Sequence, residues 1–491
     1  MNQKYYITTA IDYANAKPHV GHALEKVQAD VLARYHRQKG FETFYLTGTD
    51  EHGVKVFRKA KEAGKDPQAF TNEIAESFKA LKDALNLSWD GFVRTSDKER
   101  HWPGVEMIWK KLVEAGDIYK KNYKGLYCVG CEKFITDKDL IDGKCRDHQK
   151  EPEVVEEENY FFKLSKYSKQ IGGAIKSGEL KILPEARANE VLALIGEGLE
   201  DVSFSRPSRD LPWGVPVPGD ESQTMYVWCD ALTNYISAIG YGRVRDIDIS
   251  TFRKWWPADA QVIGKDILRF HAAIWPGMLI SAGLPLPKKI LVHGFVSIDG
   301  AKMSKSVGNV VDPIELVKKY GTDAVRYYLL KEIPSHEDGD FSVANLERVY
   351  NGELANGLGN FSARVLGLAS KFGKLEVDFS EVEGLVNKKI ESTKKLVEEK
   401  IHAFRLHEAI SAINELISLG DKYVNDHEVW KDTESKKKEI LNLIVILDNV
   451  AGLLLPFLPE TSEKISKNIE WVDKNSLEIK KGEALFPRLN L

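Results

Sequence analysis

Three short constellations hold side chains whose types and spacing suit catalysis or metal binding. The first is Pro18-His19-Val20-Gly21-His22, where an extended run gives way to a helical pattern. A helix start offers unpaired N–H groups and the positive end of the backbone dipole, so anions bind there. Gly21 has no side chain to hold a bulky ligand away from the backbone. His19 and His22 share one helical face and could donate to a phosphate together. Two histidines at a polar helix start is the plainer alternative. The second is Ala301-Lys302-Met303-Ser304-Lys305-Ser306, between an Asp-Gly turn and the loop VGNVVDP. A small, polar segment of this kind can close over a triphosphate and set ammonium groups where charge builds on departing pyrophosphate. A solvated Lys/Ser loop is the alternative there. The third is Cys128-x2-Cys131 followed by Cys145-x2-His148. Two close pairs bridged by a turn-rich loop suit a tetrahedral Cys3His zinc site, and with every position filled by protein its role is structural. Unligated loop cysteines are the alternative.

These residues need a frame. Lys4 to Ile11 is β-branched and aromatic and reads as a strand. Val20, Leu24, Val27, Val31 and Tyr35 recur at helical spacing from His19 to Lys39, and Phe41 to Leu46 is a second apolar run. Strand, helix and strand predict a βαβ unit and a Rossmann-like parallel sheet. From Asn122 to Asp220 cysteines, turns and an acidic cluster (Glu151 to Glu158) interrupt that rhythm. It resumes with a strand-like MYVW (Met225 to Trp228), an apolar helix from Ile267 to Ala282 and the strand KILVHGF. Beyond Asn351 strands disappear, and the spacing of Leu354, Leu358, Phe361 and Val365 predicts a helical bundle. The expected organisation is α/β: a catalytic domain in halves 1–121 and 221–350, split by an insertion at 122–220, then a helical domain at 351–491.

The chain has 491 residues with 69 basic and 73 acidic side chains, a net charge of −4. It is therefore not polybasic, and any nucleic-acid contact must use local patches. Four cysteines make no disulfide framework. The N-terminus has no leader pattern. Leu441 to Pro459 is broken by Asp448, Asn449 and Pro456, which favours a core helix over a membrane span. A soluble cytoplasmic enzyme with no membrane partner is expected.

HVGH and KMSKS resemble the signature motifs of class I aminoacyl-tRNA synthetases. The surrounding residues resemble the methionyl family over almost the whole chain, from TTAIDYANAKPHVGH to the C-terminal helices. The resemblance implies a methionine–tRNA ligase. Such an enzyme activates L-methionine with Mg-ATP to methionyl-adenylate and pyrophosphate. It then esterifies the 3′-terminal adenosine of tRNA(Met), initiator and elongator alike. It implies catalytic roles for His19, His22, Lys302 and Lys305, and ATP contacts from His19, Gly21, His22, Gly294, Lys302, Ser304 and Lys305. It also implies a methionine pocket of Ala10, Ile11, Tyr13, Asp50, Trp228, Ala231, Tyr235, Ile267 and His271, with Asp50 holding the substrate α-amino group. The physics agrees, because aromatic rings suit a polarisable thioether and a buried Asp needs a cation. Without the family, Trp228 and Tyr235 read as core aromatics. Leu232 and Ile11 depart from the family's frequent Pro and Leu, and Cys229 reads as structural.

The zinc constellation resembles the family's knuckle, with one ion held by Cys128, Cys131, Cys145 and His148. An insertion of about 100 residues resembles no large editing domain, so discrimination against one methylene, ~1–3 kcal/mol, falls to the synthetic site. In the helical third, Asn360 and Arg364 match anticodon-reading positions four apart on one face, and Trp430 matches a base-stacking indole. Val429 replaces the Pro that commonly precedes it. Helix packing for Asn360 and a surface ion pair for Arg364 are the alternatives. The chain ends at FPRLNL without the dimerising module of many relatives, so a monomer is expected. A small-molecule nucleotidyltransferase would share HxGH but not KMSKS, the zinc insertion or the helical third. A cysteinyl enzyme would place zinc at the substrate thiol, and a non-catalytic descendant would have lost signature side chains.

Overall fold

The structure, a computed structural model, describes residues 3–130, 133–135, 139–146, 149–303, 308–473 and 475–490. The chain forms two compact units. One comprises Met1–Pro18, Gly40–Lys82 and Ser88–Val292; the other comprises His19–Lys39, Asp83–Leu87 and His293–Leu491.

The first unit is built on a parallel sheet whose order runs Lys181–Leu183, Lys289–His293, Ala260–Gly264, Lys4–Thr9, Glu42–Asp50. Asp12–Tyr13 and Gly91–Arg94 both pair with Glu42–Asp50. Ile7 lies opposite Tyr45 on one side and Ala260 on the other. All five residues of Ala260–Gly264 are buried, as expected of a sheet covered on both faces. The expected Rossmann-like sheet is present, and it fixes where a ligand goes. Strands Lys4–Thr9, Glu42–Asp50 and Ala260–Gly264 end side by side, and open parallel sheets bind ligands beyond such carboxyl ends.

One expectation here needs correction and a second is refined. MYVW is not a strand: Asp220–Met225 ends at its first residue, and Val227–Leu232 is helical. A short buried apolar run does not distinguish the two states. Ile267 to Ser281 is one continuous helical run, as expected, but it is not α throughout. A 3₁₀ turn at Lys265–Ile267 and a wide π turn at Phe270–Ile274 precede the α-helix Trp275–Ser281. Pro276, without an N–H, cannot close the preceding α turn.

Ile118–Cys128 crosses the expected 121/122 boundary and runs antiparallel to Glu153–Phe162, from Ile118 opposite Phe162 to Tyr127 opposite Glu153. The acidic cluster forms this second strand and faces lysines, with Lys124 to Glu156 at 3.1 Å.

The second unit is mainly helical. Its long helices Val20–Gln38, Gly384–His402, Leu406–Asp426 and Lys437–Leu454 bury apolar stripes. Arg326 is fully buried. It pairs with Asp30 at 2.8 Å and donates to the carbonyls of Leu85, Pro456 and Phe457, so each of its three side-chain nitrogens has an acceptor. Strands do not vanish beyond Asn351: Lys374–Glu376, Ile469–Asp473 and Ser476–Ile479 form a small antiparallel sheet. Its strands are too short to stand out beside the helical periodicity. Among the described residues, no helix is long and apolar enough to cross a membrane.

Candidate active site

Asp50 closes the strand Glu42–Asp50, is 3% exposed, and its Oδ1 has no hydrogen-bond partner among the described residues. Desolvation, then the neighbouring Asp230 carboxylate, pushes its carboxyl well above the ordinary range; the His52 backbone N–H acts the other way. A buried carboxyl in this condition lacks a cation, and a primary ammonium supplies one. Asp230 is treated differently. Burial works to raise its carboxyl, but His52 and His101 hold it below the ordinary range. Its Oδ2 is 2.6 Å from His52 Nδ1 and its Oδ1 is 2.7 Å from His101 Nε2, whose other ring nitrogen reaches Ser237 Oγ at 2.7 Å. Tyr13 lies opposite Asp50 in the parallel register and donates its hydroxyl to the His52 carbonyl at 3.2 Å.

The apolar part of this first-unit site is aromatic. Trp228 stacks on Phe270 with ring centres 3.8 Å apart and planes within 6°, and meets His271 edge-on. His271 Nδ1 sits 3.0 Å from the Ile267 carbonyl, which can only accept. Nδ1 therefore carries the proton, and Nε2 accepts from the Tyr235 hydroxyl at 2.6 Å. Tyr235 is itself anchored, its carbonyl accepting from Tyr6 Oη at 2.7 Å. Ala10 and Ala231 are buried, while Ile11, Trp228 and Ile267 pack partly buried against the same core. Burial pushes the Cys229 thiol upward, which suits a structural residue and not a nucleophile.

In the second unit, the helix Val20–Gln38 begins with a capping box made of imidazoles. His19 Nδ1 accepts the Gly21 N–H and His22 Nδ1 accepts the His19 N–H, each at 3.1 Å. The two rings lie 3.8 Å apart. With both Nδ1 atoms accepting, the remaining donor on each ring is Nε2–H. A Cβ at Gly21 would stand 3.0 Å from the His19 ring, so any other residue would press against that cap. Gly294 is more constrained still: a Cβ there would fall 2.1 Å from the Glu337 carbonyl oxygen. Lys302 is exposed at the end of the hairpin Val296–Ile298/Ala301–Lys302. Its turn residues Asp299 and Gly300 have φ of 50° and 75°, the left-handed pair a two-residue hairpin loop requires. Ser304 and Lys305 lie outside the described residues.

The family model for class I tRNA synthetases (M) matches residues 5–150 and 137–366. The methionine–tRNA ligase of Clostridium acetobutylicum is 43% identical over all of this chain and 79% of its own length. The chain belongs to the methionyl-tRNA synthetases. Crystal structures from Mycobacterium tuberculosis agree with this placement. A methionyl-tRNA synthetase bound by methionyl-adenylate matches with TM-score 0.91 and 35% identity, covering 99% of this chain and 100% of that one. A second, also in complex with methionyl-adenylate, matches with TM-score 0.89 and 38% identity over 94% and 93%.

A model for the anticodon-binding domain of tRNA ligases matches residues 385–486 of this synthetase. Trp430 lies within that span and is 48% exposed, while Asn360 and Arg364 precede it on the helix Asn360–Ala369. The structure gathers the last two: the Arg364 guanidinium sits 5.8 Å from the Trp430 ring centre. Arg364 also pairs with Asp421 at 2.9 Å and donates to Asn425 Oδ1 at 2.7 Å, so the surface ion pair expected as an alternative is present too. Asn360 is exposed. Of the zinc residues, Cys128 and Cys145 are both buried in one small cluster with Ile135. Cys131 and His148 lie outside the described residues.

Sequence reasoning missed His52, His101, Asp230 and Phe270. His52 follows Asp50 by two residues and Asp230 follows Trp228 by two, which was a usable signal. Their pairing spans 178 residues and had none.

Proposed function

We propose that this methionine–tRNA ligase holds its amino acid between the Asp50 carboxylate and the rings of Trp228, Tyr235 and His271. It would bind Mg-ATP through the start of the helix Val20–Gln38. The observation that carries the assignment is the buried Asp50 Oδ1 without a partner. The substrate ammonium pairs with it, and the thioether lies against Trp228, Tyr235 and His271, with Ala10, Ile11, Tyr13, Ala231 and Ile267 completing the wall. An oxygen of the methionine carboxylate attacks the α-phosphorus. The bond to the departing pyrophosphate breaks, and methionyl-adenylate forms. The 3′-terminal adenosine hydroxyl of tRNA then attacks the methionyl carbonyl, and AMP leaves. No general base is required for the first step; orientation and charge stabilisation carry it. His19 and His22 donate Nε2–H to phosphate oxygens, Gly21 and Gly294 allow close approach, and Lys302, Ser304 and Lys305 meet the charge on pyrophosphate.

Residues 122–220 act as an insertion, and the helical region from 351 reads the anticodon through Asn360, Arg364 and Trp430. Both initiator and elongator tRNA(Met) are substrates in this scheme, because the assigned base-reading residues all serve the anticodon. The working form is a cytoplasmic monomer, charging tRNA where translation uses it. One zinc ion would be held by Cys128, Cys131, Cys145 and His148. The donor set suits it: two of the thiols are buried in a single cluster on adjacent tight hairpins. The ion would tie those hairpins together and take no part in the reaction.

The test is amino-acid-dependent ATP–pyrophosphate exchange with each of the twenty amino acids. Exchange with methionine alone supports the pocket. Exchange with another amino acid overturns it.

A further inference from the structure

Beneath the signature histidines lies a group of charged side chains that the reaction scheme leaves unused. Glu25 is 6% exposed, Lys26 2% and His293 8%. Lys26 Nζ is 3.1 Å from Glu25 Oε1, and His293 Nε2 is 3.1 Å from Glu25 Oε2. His293 Nδ1 faces the Gly294 carbonyl at 2.8 Å. A carbonyl and a carboxylate only accept, so both ring nitrogens of His293 carry protons and the ring is an imidazolium. Burial opposes charge on Glu25, but Lys26 and His293 hold its carboxyl below the ordinary range. The set is therefore cation–anion–cation, with one net positive charge.

His22 lies one helical turn before Lys26 on the same face. Its Nδ1 accepts a backbone N–H, which a protonated ring cannot do. The His19 ring, with its centre 3.8 Å away, adds the same requirement, since two imidazolium rings at that spacing repel. We propose that Glu25, Lys26 and His293 form a buried positioning set that keeps His22 as the neutral Nε2–H tautomer. The signature histidines then serve the nucleotide as hydrogen-bond donors, and its counter-charge comes from beneath them. Desolvation, then His19, Lys26 and His293, all hold the His22 ring well below the ordinary histidine range, which agrees with this arrangement. The nucleotide role rests on the function proposed above; the tautomer does not.

The two parts are tested separately. Nitrogen-15 NMR of histidine-labelled protein, with His22 assigned by loss of its signal in His22→Asn, reads tautomer and protonation directly. In the ligand-free protein His22 keeps the neutral Nε2–H pattern at a pH where an ordinary histidine is mostly charged. A His22 signal that titrates at the ordinary position in the unsubstituted protein overturns the proposal. Lys26→Met removes one cation at nearly constant volume. It moves the His22 midpoint upward, so that one unit below the new midpoint only about a tenth of the neutral form remains and exchange falls roughly tenfold. An unmoved His22 midpoint in folded Lys26→Met overturns the positioning role. ATP that leaves the His22 Nε2–H resonance unshifted overturns the donor role, while the tautomer measurement still stands.

Discussion

Replacing Asp50 with Asn separates binding from stability. The change keeps size and shape and removes one charge. In the proposed complex that charge faces the methionine ammonium in a buried site, and losing one side of such a pair costs about 2–4 kcal/mol. The KM for methionine in ATP–pyrophosphate exchange should rise roughly 30- to 1,000-fold, with KM for ATP nearly unchanged. The empty protein should respond in the opposite sense. The Asp50 carboxyl is raised in the fold by desolvation and by Asp230. A raised acid favours the fold at pH values below its unfolded midpoint, and that contribution is lost as pH rises through the folded midpoint. At neutral pH an ionised Asp50 therefore works against the ligand-free fold, and Asn relieves it. Thermal unfolding without methionine should show a higher midpoint for Asp50→Asn than for wild type near pH 7.5, with the gap closing in acid. By the same linkage, methionine binds wild type more tightly as pH rises, until Asp50 is ionised in the free protein. A methionine KM within about threefold of wild type, together with a lowered midpoint, would refute the assignment and leave Asp50 as a structural acid.

Other outcomes follow from separate parts of the molecule. Gly294→Ala places a Cβ 2.1 Å from the Glu337 carbonyl, so urea unfolding should show a loss of about 3 kcal/mol or more; a silent substitution would mean the contact yields easily. Trp430→Ala should weaken charging by about 1–3 kcal/mol per stacked base, read as KM for tRNA, and an equal loss in exchange would contradict an anticodon role. Chelation should release one zinc per chain, counted by metal analysis, and lower the thermal midpoint; Cys128→Ser and Cys145→Ser should each abolish that stoichiometry.

Much of the site could be read before any coordinates. His19, Gly21 and His22 sit in a helix start a few residues long, so local spacing was enough to foresee that start and the pairing of its two histidines. The Asp299–Gly300 turn was legible for the same reason, since Asp-Gly supplies left-handed backbone; that it closes a hairpin carrying Lys302 was not read. The pocket was legible only through family resemblance, because Trp228 and Tyr235 are ordinary core aromatics by pattern. Where periodicities compete, sequence misled. The π stretch ahead of Pro276 left no mark on the spacing of the helical run around it, and the small sheet after Lys374 was hidden among helices.

What tertiary structure alone decided is the charge state of the site. Asp50 and Asp230 are the same residue type, yet one is raised by burial beside a like charge and the other is held down by two histidines. His22 and His293 differ in the same way, one ring accepting from a backbone N–H and the other donating from both nitrogens. Residue type sets the range over which a group can titrate. Which side of neutrality it occupies depends on desolvation and on partners, some brought from far along the chain, and only the folded chain supplies those.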